Sequence, residues 1–325
     1  MSCRVLVTGV SGFVGGALGQ SLRQHGSYRV TGVSRTPARA GSVDSFLAHD
    51  LTRAIPESWP GHDVIVHCAA LSSPWAAPAA YRRQNLEATA NVLDYAQRPT
   101  GRGAPRVVFI SSSSVYYRHG DQLGITEDTP LPSTPINGYA ATKRAAEGLV
   151  RASPLSTVIL RPRAVFGPGD TVLFPRILRA AKRGGVPRFS RADGVSPRGD
   201  LISIDNLSHF IERAIATGAE GSFNLTNGEP VDTVAFLDTI FAELGHPPIR
   251  RALPVGAAFA LARVLETASM LTGYWEPPLT RFGVEVMAYS KTFDVAKATD
   301  AFGPAPSSNA EGLARFVAWQ RSQLR

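Results

Sequence analysis

The segment Thr8-Gly9-Val10-Ser11-Gly12-Phe13-Val14-Gly15 constrains the fold of this chain more than any other. It follows a short apolar run, residues 4–8, and opens an amphipathic stretch, residues 12–25, so its glycines fall where a strand turns sharply into a helix. Gly9 permits the turn, Gly12 lets a ligand approach bare backbone, and Gly15 lets the helix pack on its strand. A helix entered in this way offers free N–H groups and the positive end of its dipole, a cradle for a pyrophosphate. Thr8, Phe13 and Val14 belong to the same turn and are read with the glycines as dinucleotide-binding residues.

The first half of the chain keeps this alternation. Strands are expected at residues 29–34, 64–68, 107–111 and 157–160, and helices at 81–97 and 139–151. The strands are apolar almost throughout, as when helices cover both faces of a sheet. The expected fold is therefore α/β, a Rossmann-like doubly wound parallel sheet. After Pro162 the chain becomes rich in Gly, Pro and Arg, notably at residues 183–200. A strand at 201–204, a helix at 206–217 and a strand at 223–225 read as a return to the sheet, and the remainder reads as mostly helical. Residues 1–166, with 201–228 returning, are expected to form the dinucleotide-binding domain. Residues 167–200 and 229–325 are expected to form an interleaved substrate-binding region.

Composition narrows the function. With 325 residues, 44% hydrophobic and 18% charged, the chain can bury a large core and is not intrinsically disordered. Its net charge of +8 comes from cations of which 30 in 34 are arginine, scattered without a stripe or tail. That pattern argues against nucleic acid and fits a solvated surface or an anionic small molecule. Two cysteines, Cys3 and Cys68, cannot build a disulfide framework, and no metal-ligand spacing occurs; a reducing, cytoplasmic location is expected and no metal. The longest apolar stretch, residues 255–271, is interrupted by Arg263 and Glu266 and falls short of the ~20 residues of a membrane span. It is expected to be buried or to lie at a homodimer seam, with peripheral membrane association as the lesser reading.

The end of the second strand carries Ser34-Arg35-Thr36, with Arg39 close by and no carboxylate. An acid there would accept from a ribose 2′-hydroxyl, whereas a guanidinium pairs with a 2′-phosphate, so NADP is expected ahead of NAD. Asp50 and Leu51 are placed beside the adenine. Cys68, Ala69 and Ala70 are placed where the dinucleotide backbone passes, Cys68 as a packing residue and not a nucleophile.

Tyr139 and Lys143 stand four apart at the start of a helix, on one face. A free phenol has a pKa near ~10, and a neighbouring ammonium is expected to lower it enough for proton exchange with a carbonyl or alcohol oxygen. The serine-rich strand end Ser111-Ser112-Ser113-Ser114-Val115-Tyr116 offers a hydroxyl to hold that oxygen. With T-G-x-x-G-F-x-G, a strand-end serine and Y-x-x-x-K all present, the chain resembles the extended short-chain dehydrogenase/reductases of the epimerase/dehydratase superfamily.

The resemblance covers nearly the whole chain. It implies Ser112, three before the valine of Val115-Tyr116, as the catalytic hydroxyl, with Ser113 the fallback and Ser111 beside the cofactor. It also implies Asn85 as a supporting asparagine, and Pro162, Arg163 and Val165 on the nicotinamide side. Three apolar segments are similar to the branch of 3β-hydroxysteroid dehydrogenases and 2-alkyl-3-oxoalkanoate reductases: the turn carrying Ser72 and Trp75, the turn carrying Leu173 and Phe174, and residues 255–271. A hydrophobic ketone or secondary alcohol is thus the expected substrate, with Ser72, Trp75, Ser113, Arg163, Leu173, Phe174 and Arg198 as candidate contacts. The rival is a nucleotide-sugar 4-epimerase or reductase, for which the same arginines would receive a diphosphate. Dehydration is disfavoured because Ser113-Ser114 replaces the expected Asp-Glu pair. A third reading is an NADP-binding regulator without turnover.

Overall fold

The structure, a computed structural model, describes residues 2–99, 103–182, 188–246 and 252–323. Its main sheet has seven strands: β1 (Cys3–Thr8), β2 (Tyr28–Ser34), β3 (Ser45–Ala48), β4 (Val64–His67), β5 (Arg106–Ile110), β6 (Thr157–Pro162) and β7 (Gly221–Leu225). All pair in parallel, in the order β7-β6-β5-β4-β1-β2-β3. The order reverses at β1 and β4, which opens a crevice at their carboxyl ends.

Helices α1 (Phe13–His25), α2 (Ala88–Ala96), α3 (Gly138–Ala152) and α4 (Ile204–Ala216) cover the sheet. Leu18 and Leu22 of α1 pack with Phe210 and Ile211 of α4 on one face; Val92 of α2 and Val150 of α3 share the core of the other. Burial on both sides is why these strands are apolar throughout rather than alternating.

Three expectations are corrected. The helix expected at 81–97 is composite: Pro78–Tyr81 leads into a π-helical turn, Arg82–Glu87, and then α2. Of the strand expected at 201–204, only Ile202–Ser203 is extended, and it pairs with Val165–Phe166 outside the main sheet. Ser203 ends it because its hydroxyl accepts from Asn206 N at 3.2 Å, capping α4.

The third is the burial expected of α5 (Val255–Leu271): Ala258, Ala262, Glu266 and Ser269 are buried, while Leu261, Val264, Met270 and Leu271 are exposed. Its small residues admit α6 (Arg281–Ala288) at close range, Ala258 and Ala262 packing with Val284 and Ala288. Glu266 is retained by Arg281, whose backbone N and Nε donate to it at 2.7 and 2.5 Å. No helix among the described residues is long and apolar enough to cross a membrane.

A separate four-stranded sheet joins Gln122–Ile125, from between β5 and α3, to Lys291–Phe293, Arg198–Gly199 and Val231–Asp232 of the C-terminal part. Strands of two to four residues left no pattern to read. Within the arginine-rich segment, residues 183–187 lie outside the described residues.

Candidate active site

A cleft of about 1200 Å³ runs along the carboxyl ends of β1, β2, β4, β5 and β6 and reaches α5 and α6. The glycine turn forms its floor. Gly9 has φ +73°, and a Cβ there would stand 2.9 Å from Ala69 Cα; at Gly15 a Cβ would stand 2.4 Å from the Gly9 carbonyl oxygen. Gly12 caps α1 without a side chain, and no acid occupies the first turn, so its N–H groups are available to an anion. This cradle, with Phe13 and Val14 beside it in the wall, fits a dinucleotide pyrophosphate.

Thr8 does not line the cleft; it holds the turn from behind. Its Oγ1 accepts from Ala69 N at 3.0 Å and meets His67 Nδ1 at 2.8 Å. His67 Nε2 meets Thr89 Oγ1 at 3.1 Å, and Thr89 donates its own proton to the Asn85 carbonyl at 2.6 Å. That commitment assigns the tautomer: Nε2 carries the proton, and Nδ1 accepts from Thr8. Burial, reinforced by the Lys143 charge, pushes the imidazole down to about 3, so it is neutral.

Asn85 likewise lies behind the cleft, in the π-helical turn. Its Oδ1 accepts from Leu71 N at 2.6 Å and its Nδ2 donates to Thr142 Oγ1 at 3.1 Å, tying the chain after β4 to α3. Sequence reasoning missed His67 and Thr89. The available signal was a histidine inside an otherwise apolar strand.

At the ribose end, Ser34, Arg35, Asp50 and Leu51 line the cleft. Ser34 Oγ donates to the Thr36 carbonyl at 2.7 Å, and Arg35 is exposed. The Thr52 backbone N–H, with Arg35 and Arg53 adding, holds the Asp50 carboxyl below its usual range. Arg39 is not in the lining; its guanidinium lies against Gly169, leaving Arg35 as the only arginine of the expected pair at this end. Cys68, Ala69 and Ala70 line the middle of the cleft, and burial pushes the Cys68 thiol up to about 12, which removes it as a nucleophile.

The reacting groups gather where β5 meets α3. Asn137 caps α3 by accepting from Ala140 N at 2.8 Å, and Tyr139 and Lys143 follow on the cleft side. Ser112 follows β5 and caps the short turn Ser113–Tyr116, accepting from Ser114 N at 3.2 Å. Its hydroxyl is near enough to the Tyr139 phenol to favour the ionised form. Ser113 lines the cleft too, with its hydroxyl turned to Tyr117 Oη at 3.0 Å, whereas the Ser112 hydroxyl is engaged with Ser114 Oγ at 2.9 Å.

The titration differs from the sequence expectation. Burial pushes the Tyr139 phenol up to about 12, with the nearby Ser112 hydroxyl opposing it. Lys143 Nζ instead donates to the Ile110 carbonyl at 2.6 Å and sits 4.7 Å over the Phe109 ring; burial brings it down to about 8. Desolvation outweighs the expected charge effect, so Tyr139 stands as a neutral acid.

Ser111, also in the lining, donates to Glu147 Oε1 at 2.6 Å, and Glu147 takes a two-pronged contact from Arg161 at 2.8 and 2.6 Å. This buried platform fixes the ends of β5 and β6 under the reacting groups.

On the substrate side, Ser72, Leu173, Pro162, Arg163 and Val165 line the cleft, while three other expected residues do not. Trp75 Nε1 donates to Ser269 Oγ at 2.9 Å, tying its turn to α5. Phe174 is core, its ring centroid 4.5 Å from that of Phe316. Arg198 is exposed at a strand edge, donating to the Pro230 carbonyl at 3.4 Å. The apolar wall comes instead from Phe189, Leu253, Leu261, Leu265, Leu279 and Met287, brought together by tertiary packing alone. No cluster of metal-binding side chains occurs among the described residues.

A dinucleotide cradle at the turning point of a parallel sheet, opening beside a protonated phenol, is built for hydride exchange at an oxygen-bearing carbon; the fold and cleft define an NAD(P)-dependent oxidoreductase. The chain belongs to the NAD dependent epimerase/dehydratase family, whose model matches residues 5–226. It is 32% identical to a 2-alkyl-3-oxoalkanoate reductase of Shewanella oneidensis, over 96% of this chain and 85% of that protein. A 3beta-hydroxysteroid-dehydrogenase/decarboxylase of Arabidopsis thaliana is 30% identical, over 85% of this chain and 66% of that protein. Among solved structures, MoeE5 in complex with UDP-glucose and NAD superposes with a TM-score of 0.73 at 27% identity, covering 99% of this chain and all of that one.

Proposed function

We propose that this chain is an NADP-preferring reductase or dehydrogenase that interconverts a hydrophobic ketone, a 3-oxo acid or steroid-like molecule, with its secondary alcohol in the cytoplasm. The observation that carries the reading is that the neutral Tyr139 phenol, Ser112 and Lys143 line one apolar cleft together with the glycine turn. The names of the two curated relatives support the substrate class, and Arg35 supports the 2′-phosphate.

In reduction, Ser112 Oγ holds the substrate oxygen and Tyr139 donates its proton to that oxygen as the carbon is reduced. When bound, NADPH supplies the hydride. Lys143 would hold the nicotinamide ribose, and its nearby charge favours proton release from Tyr139 in the opposite direction. Leucine side chains of the wall exclude water from the reacting carbon.

A panel crossing NADPH and NADH with 3-oxo acids, steroids and nucleotide sugars tests this reading, read by nicotinamide absorbance. The expected result is NADPH-dependent turnover of a hydrophobic ketone, falling about 1000-fold in Tyr139→Phe while the variant still binds NADPH. Interconversion of nucleotide sugars on a tightly retained NAD would establish the epimerase instead. Full function in Tyr139→Phe would establish a regulator without turnover.

A further inference from the structure

Four arginines line the cleft, and three have evident commitments. Arg176 is paired with Glu276 at 2.6 Å, Arg179 donates to the Pro175 carbonyl at 3.1 Å, and Arg35 stands at the ribose end. Arg163 differs. It is partly buried, its Nε is enclosed without a hydrogen-bond partner, and among the described residues its guanidinium takes part in no hydrogen bond or ion pair. A half-buried guanidinium with its donors unused is costly, and a planar anion would relieve the cost with two parallel hydrogen bonds.

Its surroundings place that anion. The guanidinium lies 5.3 Å over the Tyr117 ring, and Tyr117 Oη meets Ser113 Oγ at 3.0 Å, in the same cleft wall as Ser112 and Tyr139. The backbone is pinned on both sides: Arg163 N donates to the Leu225 carbonyl at 3.1 Å and Ile202 N to the Ala164 carbonyl at 3.4 Å. Ala164 is held at φ +42°, a conformation that only Gly adopts readily. The other cation at Tyr117, Lys291, is already neutralised by Glu285 at 3.0 Å. Asp200 faces Arg163 closely enough to feel its charge but forms no ion pair with it; Oδ2 accepts from Phe293 N, and Oδ1 has no partner.

We infer that Arg163 is a carboxylate subsite, and that the substrate is a 3-oxo or 3-hydroxy acid whose carboxylate lies one carbon away from the reacting centre. The inference deepens the hydride-transfer reading above and rests on it. A 2-alkyl-3-oxoalkanoate carries its carboxylate in this relation to its ketone. An oxidation coupled to decarboxylation implies the same relation, because carbon dioxide leaves readily from a carbon next to a new carbonyl. Tyr139 and Ser112 then take the ketone or alcohol oxygen while Arg163 takes the carboxylate, which fixes which carbon is presented for reduction.

The test uses the purified chain with NADP, oxidising a 2-alkyl-3-hydroxyalkanoate and its methyl ester, which differ only in the charge offered to Arg163. The wild type should prefer the acid, and Arg163→Gln should lower the acid-over-ester ratio of kcat/KM by about 30-fold. Arg163→Lys should recover part of that ratio by restoring the charge without the fork. An unaltered ratio overturns the subsite. Equal loss for acid and ester together with weakened NADP binding also overturns it, since Arg163 would then hold the dinucleotide. Turnover of neutral ketones but of neither test compound removes the subsite and leaves the hydride reading standing; no turnover of any ketone or alcohol removes both.

Discussion

His67 is 1% exposed in β4, and both of its ring nitrogens are committed to threonines. The unfolded chain protonates such a group near 6.5, the folded protein only near 3. As pH falls through that window the unfolded state takes up the proton first, so stability falls with it, by up to ~1.4 kcal/mol per pH unit. Urea unfolding at descending pH should show a shallower acid slope in His67→Gln than in the wild type; coincident slopes would mean the imidazole is not the titrating group. His62, brought down to about 4 by burial, contributes in both proteins and does not affect the comparison. At this scale the sequence discloses residues bound by spacing: Gly9, Gly12, Gly15, Ser112, Tyr139 and Lys143 all reach the cleft as read. The tautomer of His67 and the idle donors of Arg163 were not legible, because each depends on what residues far along the chain do or fail to supply.

Elements were readable where period and length agree. β1, β2, α1 and α3 fall within a residue or so of the expected bounds because long apolar runs and a phase of 3.6 leave little freedom. The π-helical turn at Arg82–Glu87 and the outward leucines of α5 were not, since composition alone does not say which face a neighbour will cover. The α1 entrance supports a paired prediction. Gly15→Ala pushes a methyl to 2.4 Å from the Gly9 carbonyl oxygen, a backbone atom that cannot give way, and should cost about 1–3 kcal/mol and weaken dinucleotide binding at least tenfold. Gly148→Ala on α3 meets nothing within 4 Å and should stabilise by up to ~1 kcal/mol. Thermal melts and fluorescence titration of the two variants read both outcomes.

For the molecule as a whole, a cleft of about 1200 Å³ joins the sheet's carboxyl edge to α5 and α6, so a dinucleotide seated in it should stabilise the fold by linkage. At about 100 times its dissociation constant, the gain is ~2.7 kcal/mol. NADPH should therefore raise the melting temperature more than NADH at equal concentration, and Arg35→Ala should erase the difference. Equal shifts in the wild type would remove the 2′-phosphate preference. The layered α/β architecture was legible from the strand and helix alternation, whereas the apolar wall, assembled from Phe189, Leu253 and Met287, was not, because no local pattern links such distant positions. The path of the chain carries a further consequence. After β6 it leaves to pair Val165–Phe166 with Ile202–Ser203, then comes back as β7 at the sheet's edge before building the rest of the C-terminal part. Sewn together in this way, the two portions are poor cassettes for grafting onto another scaffold, and a change of diet in this lineage is most readily reached by single replacements made in place.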